Sequence, residues 1–237
     1  MKNYPTAKIR NLALLGHGGS GKTALAEAVL YHAKAIDRMG KVTDGNTVMD
    51  FDPEEIRRNI SINTSVATCE WKDTKLNLLD TPGDFDFLGE VMQGLRVADS
   101  SLILISAKDG LSVGAEKAVR LSRKAGLPIF FMISKMDEAN ANYDKALASI
   151  KEKYGNQVIP FMLPITADGK MTGLIDVIEQ QAYAIDAKGA ITPAAIPENM
   201  ADQLAELQEA VNEAIAETDE VLMDKYFGGE GFSDQEK

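Results

Sequence analysis

The stretch Gly16-His17-Gly18-Gly19-Ser20-Gly21-Lys22-Thr23 constrains this chain more than any other. It runs glycine, four residues, then Gly-Lys-Ser/Thr, the pattern of a loop that cradles phosphate. Ile9 to Leu15 before it reads as a buried strand, and Ala24 to Leu30 after it reads as a helix. That is the setting the motif requires. The glycines let successive backbone N–H groups turn inward onto phosphate oxygens, and the helix start adds partial positive charge behind them. Lys22 is placed to reach the β- and γ-phosphates, and the Thr23 hydroxyl to reach a magnesium ion. A glycine-rich turn without a ligand is the competing reading; the full match between strand and helix favours the phosphate.

Two further motifs give the loop a context. Asp80-Thr81-Pro82-Gly83 closes an apolar strand about sixty residues downstream. An acid there can hold magnesium through water, and Gly83 permits a backbone N–H to approach a γ-phosphate, the logic of a nucleotide-state switch. Ser134-Lys135-Met136-Asp137 follows another apolar strand. The Asp137 carboxylate can accept from N1–H and the 2-amino group of guanine, while the Lys135 stem packs over the base. Adenine matches that carboxylate poorly, so GTP is the expected substrate and GDP the product.

Composition limits the alternatives. The chain has 237 residues, about 45% apolar and 26% charged, the balance of an ordinary globular protein with a sizeable core. The single cysteine, Cys69, allows no intrachain disulfide, which suits a reducing cytoplasm. No apolar run is long enough to span a membrane, and Met1 to Pro5 lacks the apolar core of a signal peptide. Net charge is −11, with twelve of the 36 acids but two of the 25 basic residues falling in 198–237. This asymmetry suggests two surfaces with different partners. A solvated acidic helix is the plainer explanation. Neither a membrane nor a specific DNA sequence is an expected partner, because no basic face is evident.

The strand and helix signals alternate. Residues 36–60 show no sustained period and read as a long loop. Ser61 to Thr68 and Lys75 to Asp80 read as a hairpin, with Trp71 to Thr74 around the turn and Trp71 as hairpin packing. Ser101–Ser106 and Pro128–Ser134 are continuous apolar runs, expected to be central parallel strands buried on both faces. Gly114–Lys124 and Ala141–Lys153 read as helices, and Val158–Ile165 as a strand. Beyond Ala167, Leu174–Ile178 and Ala182–Ile185 are strand or turn candidates, and Ile191–Pro197 is a loop. Leu204, Leu207, Val211 and Ile215 mark an amphipathic helix; Glu220–Phe227 is a last short helix. Gly228–Gly231 is expected to end ordered structure and leave a mobile tail. The whole argues an α/β domain with a mostly parallel sheet.

With these motifs together, the chain resembles the GTPase domain of the translation GTPases, specifically elongation factor G and its paralogues. Asp80-Thr81-Pro82-Gly83-Asp84-Phe85-Asp86-Phe87 is similar to the family's Asp-Thr-Pro-Gly-His-Val-Asp-Phe. Met49-Asp50-Phe51 followed by Arg58-Asn59-Ile60-Ser61-Ile62 is similar to its first switch. Lys135-Met136-Asp137, Leu163-Pro164-Ile165 and Asp219 to Tyr226 match as well. The likeness implies a P-loop GTPase fold with helices on both faces of the sheet over residues 1–162. It also implies a small inserted α+β subdomain over 163–237.

The departures from that family are as informative as the matches. Gly19 stands where the loop has aspartate. Ser61 stands where the first switch has its magnesium-binding threonine, so Thr23, Ser61 and, through water, Asp80 are the expected magnesium ligands. Ser134 replaces an asparagine that ties the base loop to the phosphate loop, an exchange expected to loosen base binding. Asp84 replaces the histidine that positions the attacking water. A carboxylate there donates no hydrogen bond and repels the γ-phosphate, so hydrolysis is expected to be slow unless another residue, such as Arg57 or Arg58, assists. Lys22, Gly83 and Asp84 are thus the catalytic candidates.

The family's Gly-Ser-Ala base contact and four later domains do not occur in this sequence. The chain is therefore expected to be a piece of a larger factor, with weakened nucleotide affinity. The resemblance implies the ribosome as partner, through its large-subunit GTPase centre and stalk protein. A slowly hydrolysing, nucleotide-gated ribosome-binding or ribosome-protection factor is the alternative.

Overall fold

The computed structural model describes residues 2–167, 169–186, 189–233 and 236. They form two compact units, 1–149 and 150–237. The division falls inside a helix, ahead of the 162/163 boundary suggested by resemblance.

In the first unit, β1 (Ile9–Gly16) leads through the glycine-rich loop into α1 (Lys22–His32). The expected long loop contains a two-turn helix, α2 (Pro53–Arg58). Asp52 caps it and Glu55 answers in a capping box, with proline at the first turn. Those signals lie in the sequence Asp52-Pro53-Glu54-Glu55 but do not depend on apolar periodicity. A hairpin comes next, β2 (Ser65–Trp71) and β3 (Thr74–Asp80). Its two-residue turn has Lys72 and Asp73 at φ of 44° and 57°, the left-handed pair that matches strand twist. Trp71 lies 57% exposed beside that turn, so it contributes little packing.

Then come α3 (Leu88–Val97), β4 (Ser100–Ser106), α4 (Val113–Lys124), β5 (Ile129–Ser134) and α5 (Tyr143–Tyr154), the last running into the second unit. The sheet order is β2-β3-β1-β4-β5, parallel except for the β2–β3 hairpin. The mixed α/β fold with a mostly parallel sheet is therefore as expected.

Two expectations need correction here. Ser61–Thr64 is not strand: its backbone donates to side chains, with Ile62 and Asn63 N–H on Glu55 and Thr64 N–H on Glu90, each at 2.9 Å. β5 is an edge strand, not a central one, and Phe130 on it is 46% exposed. A continuous apolar run does not distinguish the two positions.

Alternation along the strands divides the core. Leu14, Leu78 and Cys69 pack with Ala26 and Leu30 of α1 and with Met49, supported by Leu102. The residue before Leu102 on β4, Ser101, points the other way and accepts from Ser122 of α4 at 2.9 Å. Helices therefore cover both faces. Each fully buried leucine contributes roughly 1.5–3 kcal/mol.

The second unit holds a four-stranded antiparallel sheet of β6 (Met162–Ala167), β7 (Lys170–Asp176), β8 (Gln181–Ile185) and β9 (Ile191–Ala194). The strand expected from Val158 thus begins only at Met162. Ile191–Ala194 is a strand despite Pro193, which sits at a sheet edge where a missing N–H is tolerated. Helices α6 (Ala201–Ala216) and α7 (Glu220–Phe227) complete the unit. Val211 and Ile215 face Ile159, Phe161 and Ile178 across a cleft of about 260 Å³. The tail expected to be mobile falls partly outside the described residues. Within them, Glu236 returns to Lys225 of α7 at 2.9 Å and to Ser233.

Candidate functional site

The site begins where β1 ends. Gly16 to Gly21 joins strand to helix, with Gly21 left-handed at φ 98° as the residue before α1. A side chain there would be strained. No side chain caps α1 and its first turn carries no acid, so its N-terminal N–H groups retain their charge preference for an anion. His17, Gly18 and Gly19 are exposed, whereas Ser20 is buried with a hydroxyl that has no partner among the described residues. Lys22 is 5% exposed, and its ammonium donates to the carbonyls of His17 at 2.9 Å and Gly16 at 3.3 Å. Burial pulls its pKa down, and the charges of Asp80 and Asp50 oppose that. A buried ammonium held by carbonyls is suited to take a phosphate.

Three oxygen side chains meet beside it. Thr23 donates to Asp80 Oδ2 at 2.6 Å, and Ser61 donates to Asp50 Oδ1 at 2.7 Å. The two hydroxyl oxygens lie 3.3 Å apart. With both protons directed to carboxylates, their lone pairs face one region. Adjacent ligands of an octahedral magnesium ion, each about 2.1 Å from it, are separated by about 3 Å. Asp80 Oδ1 is buried and has no partner among the described residues, as suits a carboxylate that takes a metal-bound water. Burial pushes the Asp80 carboxyl up to about 7, against the pull of Thr23 and Lys22 and with the help of Asp50 and Glu55. Burial likewise raises Asp50. A divalent cation would reverse both tendencies. The residues present therefore fit magnesium, although among the described residues no group of three His, Cys, Asp or Glu side chains is arranged to hold a metal by itself.

The second motif continues from β3. Thr81 is fully buried and its hydroxyl donates to Leu14 carbonyl at 2.7 Å, locking the turn to β1. Pro82 is also buried. Gly83 lies directly on the phosphate loop: a Cβ there would fall 2.5 Å from both Gly18 N and Lys22 Nζ. Asp84 is exposed and precedes a 3-10 turn, Phe85–Phe87. The Phe85 ring lies 6.3 Å from the His17 ring, with the Lys117 ammonium 4.5 Å over its centroid. Arg57 and Arg58, considered as substitutes for the missing histidine, are both paired with Glu54 at 2.6 and 3.0 Å.

The third motif closes the site from β5. Ser134 donates to Ser20 carbonyl at 2.8 Å and to Ile105 carbonyl at 3.3 Å. The serine thus ties the loop expected to hold a base to the loop expected to hold phosphate, the link that its exchange for asparagine put in doubt. Lys135 is left-handed at φ 60° and pairs with Glu138 at 2.8 Å. Met136 is half-buried and Asp137 is exposed.

Residues 16–23, 61, 80–84 and 134–137 therefore lie on one end of one sheet, around the ends of β1, β3 and β5. Sequence reasoning missed Asp50, Glu27 and Glu55 as members of this neighbourhood. Asp50 sits in the Met49-Asp50-Phe51 match and could have been found there; Glu27 carries no local signal beyond its place on α1.

Comparison with known proteins places the whole chain among relatives. The family model described as the elongation factor Tu GTP binding domain matches residues 7–224. A crystal structure of a protein from Thermus thermophilus superposes with a TM-score of 0.89 at 37% sequence identity. The match covers 97% of this chain and 34% of that one, so this chain spans about a third of its length.

Proposed function

The chain belongs to the elongation factor Tu GTP binding domain family, and from that premise we propose that it is the GTP-binding and GTP-hydrolysing switch of a ribosomal translation factor of the elongation factor G type. The observation that carries this reading is the convergence of Thr23, Ser61, Asp80 and Asp50 from separate segments, with hydroxyl oxygens 3.3 Å apart and both protons committed to carboxylates.

In this reading the loop from Gly16 to Gly21 binds the α- and β-phosphates by backbone N–H groups, and Lys22 leaves the His17 and Gly16 carbonyls for the β- and γ-phosphates. Thr23 and Ser61 would hold magnesium, with Asp80 acting through water. The ion, when bound, neutralises charge that develops on the phosphate oxygens. Gly83 brings its N–H to the γ-phosphate, and Ser134 keeps Lys135 and Asp137 in register with the phosphate loop. Asp137 selects guanine.

Hydrolysis transfers the γ-phosphoryl group to water, and most of the catalysis is positioning and charge neutralisation. Asp84 would face that water as an acceptor without a proton to donate, so the intrinsic rate is slow. Translocation, the large-subunit GTPase centre and the stalk protein belong to the same proposal. No helix among the described residues is long and apolar enough to cross a membrane, and a cytoplasmic place follows from the proposed ribosomal partner.

Binding of labelled GDP, with competition by GTP and ATP, tests the nucleotide. Single-turnover GTP hydrolysis with and without ribosomes tests the partner. Displacement by GTP but not ATP, with ribosome-stimulated turnover, is expected; displacement by ATP at equal concentration would remove the guanine assignment.

A further inference from the structure

Glu27 lies on α1, one helical turn past Thr23, and is 0% exposed. Residues four apart share a helix face, so the face that offers Thr23 to Asp80 and Ser61 also carries this carboxylate. One oxygen of Glu27 accepts from Gly40 N–H at 2.8 Å and the other from Val48 N–H at 2.6 Å. Both ends of the segment 40–48 thus hang on one side chain. The segment is closed on itself as well. Lys41 N–H donates to the Asn46 side chain at 2.7 Å, and a Cβ on Gly40 would fall 2.5 Å from Asn46 carbonyl.

The residues just beyond this segment carry the chemistry. Met49 is buried in the core beneath it, and its carbonyl accepts from Ser65 at 2.6 Å. Asp50 is next, and it accepts from Ser61. Glu55, also 0% exposed, then takes the N–H groups of Ile62 and Asn63 just past Ser61. Two buried carboxylates therefore suspend the stretch that carries Asp50 and Ser61, and the one on α1 shares its helix with Lys22 and Thr23. Burying a carboxylate is costly unless its oxygens are satisfied, so the two N–H groups and Glu27 constrain each other.

We propose that Glu27 is a positioning residue for magnesium-GTP: it latches segment 40–48 to α1 and thereby sets Asp50 and Ser61 against Thr23. The inference rests on the GTP-binding reading. A glutamine of the same shape accepts at one oxygen only and turns an N–H₂ toward the second backbone donor, so one end of the segment is released. Magnesium-dependent affinity for GTP then falls, while the loop from Gly16 to Gly21 still holds GDP, because the hydrogen bonds of Glu27 go to Gly40 and Val48.

The test uses the 237-residue chain and its Glu27→Gln variant, titrated with fluorescent GDP and a non-hydrolysable GTP analogue, in magnesium and in EDTA. Loss of a charge-assisted bond predicts roughly tenfold weaker GTP-analogue binding in magnesium, with GDP affinity in EDTA changed less than about twofold. Equal losses in all four conditions, or none in any, would overturn the proposal. Should the variant not fold, hydrogen exchange on the native chain decides. Gly40 and Val48 amides should exchange together, and more slowly with magnesium and the GTP analogue than with GDP; unequal rates, or rates indifferent to nucleotide, count against the latch. If the native chain binds no guanine nucleotide, the GTP-binding reading itself fails, an outcome distinct from a native chain that binds and a variant that is unaffected.

Discussion

Ser134 on β5 donates its hydroxyl to the carbonyl of Ser20 in the phosphate loop at 2.8 Å, joining positions 114 residues apart in the chain. This bond couples the loop proposed for guanine to the loop proposed for phosphate. Ser134→Ala removes it and leaves the Ser20 carbonyl without that donor. A net loss of about 0.5–1.5 kcal/mol is expected, read as GDP release some two- to tenfold faster by stopped-flow fluorescence. Unchanged release would mean the tie is structural only.

Asp84 is exposed at the turn proposed to face the attacking water. Asp84→His replaces an acceptor that repels phosphate with a group able to donate. Single-turnover GTP hydrolysis is expected to quicken by roughly tenfold or more, the scale of one positioned general acid–base group. An equal or slower rate in the histidine variant would defeat the explanation.

Gly83 has no room for a side chain, since a Cβ would lie 2.5 Å from the Gly18 nitrogen. Backbone cannot yield as a flexible side chain can, so Gly83→Ala must lift the turn from the phosphate loop. Hydrolysis is expected to fall at least tenfold, about 1.4 kcal/mol, with GDP affinity nearly retained. Calorimetry with GDP beside single-turnover hydrolysis separates the two effects.

The pair Lys225–Glu236 gives a pH signature in the second unit. Lys225, then the backbone and hydroxyl of Ser233, hold the Glu236 carboxyl down at about 2 from an ordinary 4.5. A depressed carboxylate stabilises the folded form above its unfolded value and loses that contribution as pH falls through the folded one. The return of Glu236 to α7 should therefore persist above about pH 4.5 and be lost between about 4.5 and 2. Carboxyl carbon titration by NMR should place the Glu236 midpoint near 2, rising in Lys225→Ala. A midpoint of 4.5 in the native chain would exclude the pair.

Leu78 is fully buried in the cluster beneath α1. Leu78→Ala should cost about 2–5 kcal/mol of unfolding free energy by transfer and cavity terms, measured by denaturant titration. A loss below about 1 kcal/mol would show that the cluster can collapse around the void.

Local chemistry determined much of this protein. The loop Gly16–Thr23 announces itself because its backbone conformations and its lysine are needed within eight consecutive residues. The turn at Asp80–Gly83, the base motif at Ser134–Asp137 and the helix of Leu204, Leu207, Val211 and Ile215 are also consecutive or periodic patterns, legible without a fold. Packing decided the rest. Whether an apolar run such as Phe130–Ile133 is central or at an edge depends on which strands lie beside it, and Pro193 enters a strand because that strand is an edge. Helix α2 is written in capping residues, whose partners lie three positions away and outside any apolar period.

The hydrogen bonds from Gly40 and Val48 to Glu27, from Ser61 to Asp50, and from Ser134 to Ser20 join residues whose separation in the chain has no fixed period. The sequence alone marked out the groups proposed to bind phosphate, magnesium and guanine. The tertiary structure decided which of them share a site and which buried carboxylates hold them there, because burial and hydrogen bonding act through distances in space.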